Sequence, residues 1–250
     1  MNYRLTIQYD GTEFQGWQVQ AGRRTVQGEL TRVLTLLEGR EVVLHGAGRT
    51  DAGVHAAAQV ASVRLERGFE PERLRAALNG NLARDVRVVR AEIAPEQFHA
   101  RFDARGKTYL YSVFMEQFSS PFWSRYAIQE SRPLDLDRMR DCARLFLGQH
   151  DWTAFSAAQS DVKSRVRLLT ELEINESWTE RGQGRLLSIR VSAEGFLRYM
   201  VRTIAGTLLA VGRGELSAED VRLMIESGER RREAVTAPAC ALTLLRVHYD

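Results

Sequence analysis

The stretch Gly46-Ala47-Gly48-Arg49-Thr50-Asp51-Ala52-Gly53-Val54-His55-Ala56 places a single carboxylate, that of Asp51, among glycines and beside an arginine. An isolated loop aspartate is most often an ordinary turn residue. The glycines, however, permit unusual backbone conformations and close approach to a ligand. The stretch is not a dinucleotide-binding fingerprint, because Asp51 stands where the third glycine should be and no apolar-periodic helix follows. We therefore predict that Asp51 is the catalytic residue.

Strands and helices alternate around this stretch in the first hundred residues. Tyr3, Leu5, Ile7 and Tyr9 alternate with polar residues, which predicts a strand with one buried face. Thr25 is a suitable N-cap for a helix that ends at Gly39, and Pro71 is suited to open a shorter helix that ends near Leu78. Further strands are predicted at 41–45, through Gln59, Ala61 and Val63, and at 86–93.

The alternation starts again after Phe98-His99-Ala100-Arg101-Phe102. Strands are predicted at 108–114, 165–175, 185–191 and 241–249. Helices are predicted with Leu136, Met139, Ala143 and Phe146 on one face, over 195–211, and from a capping box of Ser217 and Asp220 to Gly228. We infer an α/β (α+β) fold of two similar domains, 1–103 and 104–250. We expect mostly antiparallel sheets that form an extended central sheet, helices on the outer faces and an active-site cleft between the domains.

Arginine dominates the basic residues. Of 35 basic residues only Lys107 and Lys163 are lysines, whereas the net charge is only +3. Arginine suits bidentate recognition of phosphate and stacking on bases, but a GC-rich genome also replaces lysine codons with arginine codons. The positions of the arginines therefore matter more than their number. The run Arg230-Arg231-Arg232 is predicted to be a solvated loop.

Several classes of protein do not fit the sequence. The N-terminus reads as a strand and not as a signal peptide, and the apolar stretch 203–211 is far short of the roughly 20 residues that a membrane span needs. Cys142 and Cys240 lie far apart without zinc-ligand spacing. We expect a soluble, cytoplasmic protein with no membrane association.

Two groups in the second half could do chemistry or pack in a core. Arg198, Arg202 and Gly206 recur at helical spacing and form a second stripe on the predicted helix 195–211, where Arg202 either approaches another backbone or is solvated. Tyr109 and Tyr111 alternate on a strand after basic residues, which suits either base stacking or core packing. The same two alternatives hold for Trp17, Trp123 and Trp152.

No second acid lies near Asp51 in sequence to form a metal pair, and zinc-deaminase, nucleophile-elbow and Walker patterns are all missing. A nucleophilic carboxylate that uses neither metal nor cofactor is the catalytic hypothesis that remains.

The sequence resembles the TruA family of tRNA pseudouridine synthases nearly from end to end. Besides the run from Gly48 to Ala56, the resemblance rests on several blocks in the family's order. These are Tyr9-Asp10-Gly11-Thr12 with Phe14, Gly16, Trp17, Gln18 and Gln20; Thr25-Val26-Gln27; residues 98–102; Tyr109 and Tyr111; Phe196 with Met200-Val201-Arg202 and Gly206; and Ala237-Pro238-Ala239.

The resemblance implies conversion of uridine to pseudouridine at positions 38, 39 and 40 in the anticodon stem-loop of tRNA, by a homodimer. It implies that Asp51 is the nucleophile, that Arg202 is its countercharge, and that Tyr109 packs on the uracil. Arg49 would fill the gap left by the flipped-out nucleotide. Thr50, His55 and Leu242 are the further substrate-binding positions. Two alternatives stay open: a synthase that acts on another RNA, and a non-catalytic RNA-binding module.

Overall fold

The computed structural model describes residues 1–158 and 162–249, which form two compact units. One unit holds Met1–Arg105 together with the chain from Thr243 onward, and the other holds Gly106–Leu242. The predicted second domain, 104–250, included the last strand. The structure corrects this, because residues 243 and 244 pair in parallel with His55 and Ala56 of the first unit.

The sheet of the first unit is built around β1 (Asn2–Tyr9), which pairs antiparallel with both β3 (His55–Arg64) and β4 (Val86–Ala94). A short strand, β2 (Leu44–Gly46), pairs antiparallel with β3. The four alternating apolar residues of β1 are buried, as predicted. Two helices, α1 (Val26–Glu38) and α2 (Pro71–Asn81), complete the unit.

The predicted ends of α1 are confirmed by their caps. The Thr25 side chain accepts a hydrogen bond from the backbone N of Gly28, and Gly39 ends the helix with a φ of 79°. Two other predicted boundaries were wrong. β2 starts at Leu44 and not at residue 41, because only 44–46 find partners on β3. Helix α2 continues three residues beyond Leu78.

In the second unit, antiparallel pairing joins β5 (Gly106–Phe114), β9 (Gly184–Ala193), β8 (Val166–Thr179) and β7 (Gly148–Asp151) in that order. The short β6 (Ile128–Gln129) runs parallel to β5. The helices of this unit are α3 (Leu136–Ala143), α4 (Met200–Gly212) and α5 (Ala218–Ser227). The last strand, β10 (Leu242–His248), belongs to the first unit from Thr243 onward. The capping box that opens α5 and the left-handed Gly228 that ends it are confirmed.

Helix α4 begins five residues later than predicted. Tyr199 has a φ of 68°, and this left-handed conformation cannot continue a helix. Arg198 therefore lies outside the helix, and the predicted second stripe is reduced to Arg202 and Gly206. With mostly antiparallel strands and interspersed helices, the fold is mixed α/β, as predicted.

Two of the tryptophans are core residues, as one of the two alternatives predicted. Trp17 and Trp152 are fully buried in the cores of their units. Trp152 stacks on Phe146 and its indole N–H donates to the Arg167 carbonyl. Trp123 is half-buried, and its indole N–H donates to the Arg181 carbonyl at 2.6 Å.

Candidate active site

Asp51 lies on the loop that joins β2 to β3, and its residue is half-buried. The backbone N of Val54 donates to the Asp51 carbonyl at 3.2 Å, which closes a turn around the carboxylate-bearing residue. Gly53 sits inside this turn with a φ of 78°, a conformation that favours glycine. The turn fixes the backbone direction at Asp51, and its left-handed position explains why the stretch has a glycine at residue 53.

The loop rests on residues 9–17, which we call the docking segment. The backbone N of Trp17 donates to the Thr50 carbonyl at 3.0 Å, and the backbone N of Gly53 donates to the Phe14 carbonyl at 3.3 Å. These bonds hold the loop on both sides of Asp51. Backbone hydrogen bonds of this kind do not depend on the side chains that flank them.

Two glycines of the docking segment leave no room for a side chain. A Cβ on Gly16 would lie 2.7 Å from the Thr50 carbonyl oxygen, and Gly16 has a φ of 88°. A Cβ on Gly11 would overlap the Val54 carbonyl oxygen. The loop and the docking segment therefore touch backbone to backbone, which explains why both glycines belong to the motif.

Buried hydroxyls complete the support of the loop. The Tyr9 hydroxyl and Thr50 Oγ1 are 2.8 Å apart, and Gln59 Nε2 donates to the Gly48 carbonyl at 3.0 Å. Burial raises the pKa of Tyr9 to about 12, so this phenol stays protonated near neutral pH. Tyr9 and Gln59 were not among the predicted site residues. Tyr9 was marked by its alternation in β1, which indicated burial, and by its place in the block Tyr9-Asp10-Gly11-Thr12. Neither signal indicated a contact with the Asp51 loop.

His55 is also buried. Its Nδ1 lies 3.0 Å from the backbone N of Gly11 and 3.2 Å from Asp10 Oδ1. Thr50 and His55 were predicted to bind substrate. Thr50 Oγ1 lies against Tyr9, and His55 Nδ1 lies against Asp10 and Gly11 of the docking segment.

Arg49 is the contrasting residue of the loop, because it is exposed. Within residues 1–158 and 162–249 no hydrogen bond or ion pair to its guanidinium is found. An exposed arginine two residues from Asp51 is accessible to a polyanion.

Tyr109 lies on β5, opposite Val191 of β9, and only 7% of its surface is exposed. The ring of Phe196 meets it edge-on, with centroids 5.0 Å apart and an interplanar angle of 87°. Tyr111 is fully buried, and its hydroxyl donates to the Pro238 carbonyl at 3.0 Å. Tyr111 is therefore a core residue, whereas Tyr109 is held in one orientation by a half-buried aromatic neighbour.

Arg202 is fixed by the residues that precede the last strand. Its Nε donates to the Ala237 carbonyl at 2.7 Å, and its own carbonyl accepts from the backbone N of Ala237 at 3.1 Å. One turn further along α4, a Cβ on Gly206 would overlap the Val235 carbonyl oxygen. Residues 235–237 thus lie directly on the helix, and the solvated alternative for Arg202 was wrong.

Arg230 is a residue whose role the sequence did not reveal. Its Nε donates to the Ala154 carbonyl at 2.5 Å, while terminal nitrogens donate to Ser156, Thr203 and Thr236 at 3.1 to 3.3 Å. All three arginines of the run are exposed and lie outside helices and strands, as predicted. Arg230 differs from Arg232, whose side chain is 95% exposed, in that its guanidinium is also bonded to neighbouring segments. Arg230 and Arg232 belong to the same run of arginines, so the sequence does not distinguish them and only the fold does.

The predicted residues fall into two groups. Arg49, Thr50, Asp51 and His55 belong to the first unit, and Tyr109, Arg202 and Leu242 belong to the second. Leu242 is buried at the start of β10. Among the described residues, no group of three or more His, Cys, Asp or Glu side chains could hold a metal ion. No helix in this part of the chain could cross a bilayer.

Comparison with known proteins connects these features. A family model described as tRNA pseudouridine synthase matches residues 5–103 and 142–250. A Bacillus subtilis (strain 168) protein named tRNA pseudouridine synthase A is 42% identical over 252 residues, which cover 100% of both chains. Proteins of the same name are 43% identical in Bacillus velezensis, again over 100% of both chains, and 41% identical in Bacillus sp. (strain KSM-64), over 92% of both.

Proposed function

The chain belongs to the tRNA pseudouridine synthase family, and from that premise we propose that it isomerises uridine at positions 38, 39 and 40 of the tRNA anticodon stem-loop, with Asp51 as nucleophile. The observation that supports Asp51 most directly is its loop. One carboxylate stands on a backbone held from both sides by residues 9–17, next to the exposed Arg49. Preorganisation of this kind lets a nucleophile act without rearrangement.

The reaction rearranges bonds within one nucleotide. Asp51 attacks either the uracil ring or the ribose C1′, the C1′–N1 bond breaks, and the base rotates. A C1′–C5 bond then forms, the bond to Asp51 breaks and regenerates the carboxylate, C5 loses its proton and N1 gains one. Atoms and electrons balance without an oxidant or a reductant, so neither a cofactor nor a metal is consumed.

The other residues have supporting roles in this proposal. Arg49 occupies the place of the flipped nucleotide, whose extrusion costs a few kcal/mol. Thr50 and His55 position the loop, in keeping with their buried partners. In the second unit, Tyr109 packs on the uracil and Arg202 favours the ionised carboxylate, while Leu242 contributes an apolar contact. The assignments of Arg49, Tyr109, Arg202 and Leu242 follow the family resemblance, which also places Thr50 and His55 among the substrate-binding residues.

We further propose that the enzyme acts as a homodimer in the cytoplasm. Sedimentation of the purified chain with and without tRNA measures the oligomeric state. If the chain is entirely monomeric at concentrations that support full turnover, the homodimer is contradicted and the proposed reaction is unaffected.

Replacing Asp51 with Asn tests the nucleophile. We expect Asp51→Asn to abolish tritium release from 5-tritiated uridine in tRNA, while tRNA affinity changes no more than a few-fold, because phosphate contacts dominate binding. Asp141→Asn is the matched control, since that carboxylate is 71% exposed and pairs only with Arg144 in the described chain. Turnover by Asp51→Asn near that of Asp141→Asn would remove Asp51 from the mechanism.

Substrates with a single target uridine test the site preference. Stem-loops that carry uridine at only one of positions 38, 39 and 40 should all be modified, if the enzyme recognises shape and backbone. Modification of an unrelated RNA alone would favour a synthase with another substrate. Binding without any modification would favour the non-catalytic module.

A further inference from the structure

Three aromatic rings stack in series on the surface of the first unit. The rings of His45 and His99 have centroids 4.6 Å apart at 36°, and those of His99 and Phe102 are 4.3 Å apart at 32°. We call these three residues the aromatic stack. His45 belongs to β2 and immediately precedes the Gly46 that opens the Asp51 stretch. Phe102 ends the series, and 76% of it is exposed.

The turn that carries Phe102 is held by its own hydrogen bonds. His99 Nδ1 accepts from the backbone N of Arg101 at 3.1 Å and from that of Phe102 at 3.3 Å. Asp103 Oδ2 accepts from the backbone N of His99 at 2.8 Å, and the backbone N of Asp103 donates to the His99 carbonyl. The turn therefore holds the Phe102 ring outward.

The turn is also anchored to the rest of the unit. The backbone N of Ala100 donates to Ser62 Oγ of β3 at 3.1 Å, and the Tyr249 hydroxyl donates to the Ala100 carbonyl at 2.7 Å. An exposed phenylalanine forgoes about 1.5 to 3 kcal/mol of hydrophobic stabilisation that burial would give. A ring held outward by a rigid, anchored turn is thus available to a partner without further ordering.

The chemistry around Phe102 fits a nucleotide. The stack presents one open aromatic face, and every nucleobase has a matching face, so stacking needs no particular sequence. The Arg101 guanidinium lies 5.9 Å from the centroid of the Phe102 ring and is exposed. A planar apolar surface with a cation 5.9 Å from the ring centre matches a base with its phosphate, whereas an apolar protein surface would leave Arg101 without an anion.

We propose that the aromatic stack is a platform on which an unpaired base of the tRNA stacks against Phe102, with Arg101 on the adjoining phosphate. The choice of RNA as the occupant rests on the proposed function. The platform acts in binding, separately from the chemistry at Asp51. The loss of the platform therefore raises KM and Kd and leaves kcat nearly unchanged.

Affinity for unmodified tRNA at fixed salt tests the platform. A base stacked on an aromatic ring contributes about 1 to 3 kcal/mol, so we expect Phe102→Leu to weaken binding by about tenfold and Phe102→Trp to retain it. Phe118→Leu is the matched control, because Phe118 is 77% exposed and belongs to the second unit. Arg101→Gln should reduce the salt dependence by about one phosphate contact, and Phe102→Leu should not change it.

Several outcomes would overturn the platform. Binding by Phe102→Leu equal to that of the wild type would do so, as would an equal loss in Phe118→Leu. A wild type without affinity for tRNA would also exclude it. If Phe102→Leu weakens binding only because it dissociates a dimer, sedimentation will show the change, and the stack is then an interface between copies.

A crosslink separates this proposal from the proposed function. Irradiation of tRNA that contains 5-iodouridine should couple the RNA to the peptide with Phe102, even in the inactive Asp51→Asn variant. Crosslinking without any pseudouridine formation by the wild type would support the platform and refute the reaction. Turnover with crosslinks that avoid residues 98–103 would support the reaction and refute the platform.

Discussion

The Asp51 loop and the residues that hold Arg202 are fixed by different kinds of contact. In the first region, backbone meets backbone at Gly11 and Gly16, and no side chain fits between. In the second region, Gly206 likewise leaves no room for a Cβ against the Val235 carbonyl oxygen. There, however, Arg202 and Arg230 also donate side-chain hydrogen bonds to Ala237 and Thr236. We therefore expect the first region to fail sharply when one methyl group is added at its backbone contact. The second region should fail in the same way at Gly206, and it should also weaken by degrees when its arginine donors are removed.

The largest effect is expected from Gly16→Ala. The alanine must adopt a backbone φ of 88°, and its Cβ lies 2.7 Å from the Thr50 carbonyl oxygen. We therefore expect the free energy of unfolding to fall by at least about 3 kcal/mol. Turnover should fall with it, since the same carbonyl precedes Asp51. Urea denaturation and tritium release measure the two effects.

Gly22→Ala is the matched control for that strain. Gly22 also has a positive φ, 67°, but a Cβ there meets no atom within 4 Å. It should lose only about 1 kcal/mol, the cost of the left-handed conformation, and keep full turnover. Equal losses in both variants would show that φ alone matters and that the backbone contact of the Asp51 loop does not.

Residues close in sequence made the first region largely predictable. The glycines and Asp51 stand in one run, and a strand pattern placed the buried face of β1, so the loop could be located before the structure was known. What sequence could not give was the partner of the loop. That Gly16 faces Thr50, or that Tyr9 bonds Thr50, depends on contacts across more than 30 residues.

The second region was less predictable for the same physical reason. Helical spacing placed Arg198 with Arg202, but the left-handed Tyr199 separates them, and no sequence signal marks a tyrosine in that conformation. Arg230 could not be told from Arg231 or Arg232, because its acceptors come from segments 27 and 74 to 76 residues away. Hydrogen-bond acceptors so distant in the chain leave no pattern in the sequence around Arg230.

An intermediate effect is expected from Tyr9→Phe, which removes one buried hydroxyl from the first region. Thr50 Oγ1 loses its 2.8 Å partner, and an unsatisfied buried group costs about 1 to 3 kcal/mol. The unfolding free energy should fall by that amount. Tyr126→Phe, at a residue that is 39% exposed, is the control and should change it far less. An unchanged stability in Tyr9→Phe would mean that the hydroxyl pair does not fasten the loop.

Arg230→Met tests whether the second region weakens by degrees. Four hydrogen bonds are lost, but much of Arg230 is exposed and water can replace the donors, so we expect about 1 kcal/mol. The amide of Ala237, which donates to the Arg202 carbonyl, should exchange several-fold faster with solvent. Arg232→Met should leave both values unchanged.

A double-mutant cycle shows whether Arg230 acts through Arg202. Arg230→Met should reduce kcat a few-fold in the wild type and add little in an Arg202→Met background, because residues in one network couple. Full additivity in kcat would mean that Arg230 stabilises the unit without positioning Arg202.

The smallest expected effect is a dependence of local stability on pH, which only the first region should show. The docking segment is tied to β4 by Asp85, whose carbonyl accepts from the backbone N of Asp10 and whose carboxylate binds Arg24 at 2.7 and 2.9 Å. Hydrogen bonding to Arg24 lowers the pKa of Asp85, against the opposing effect of partial burial. Residues 235–237 are Val, Thr and Ala, and they carry no ionisable side chain of their own.

A carboxylate whose folded pKa is depressed stabilises the native state above its unfolded pKa of about 4, and this stabilisation disappears as the pH falls through the lower folded value. Because Arg24 and Asp85 are each partly exposed, with side chains 33% and 26% accessible, the expected contribution is at most about 1 kcal/mol.

The Gln15 amide, which donates to the Arg24 carbonyl, should therefore lose protection from hydrogen exchange below pH 4 after correction for intrinsic exchange. The Ala237 amide should not. In Asp85→Asn, the protection of the Gln15 and Ala237 amides should depend on pH in the same way. In the control Asp141→Asn, where the replaced carboxylate is exposed, the two amides should differ as they do in the wild type. If both amides lose protection together in Asp85→Asn as in the wild type, acid opens the chain globally, and the two regions do not differ in their electrostatic support.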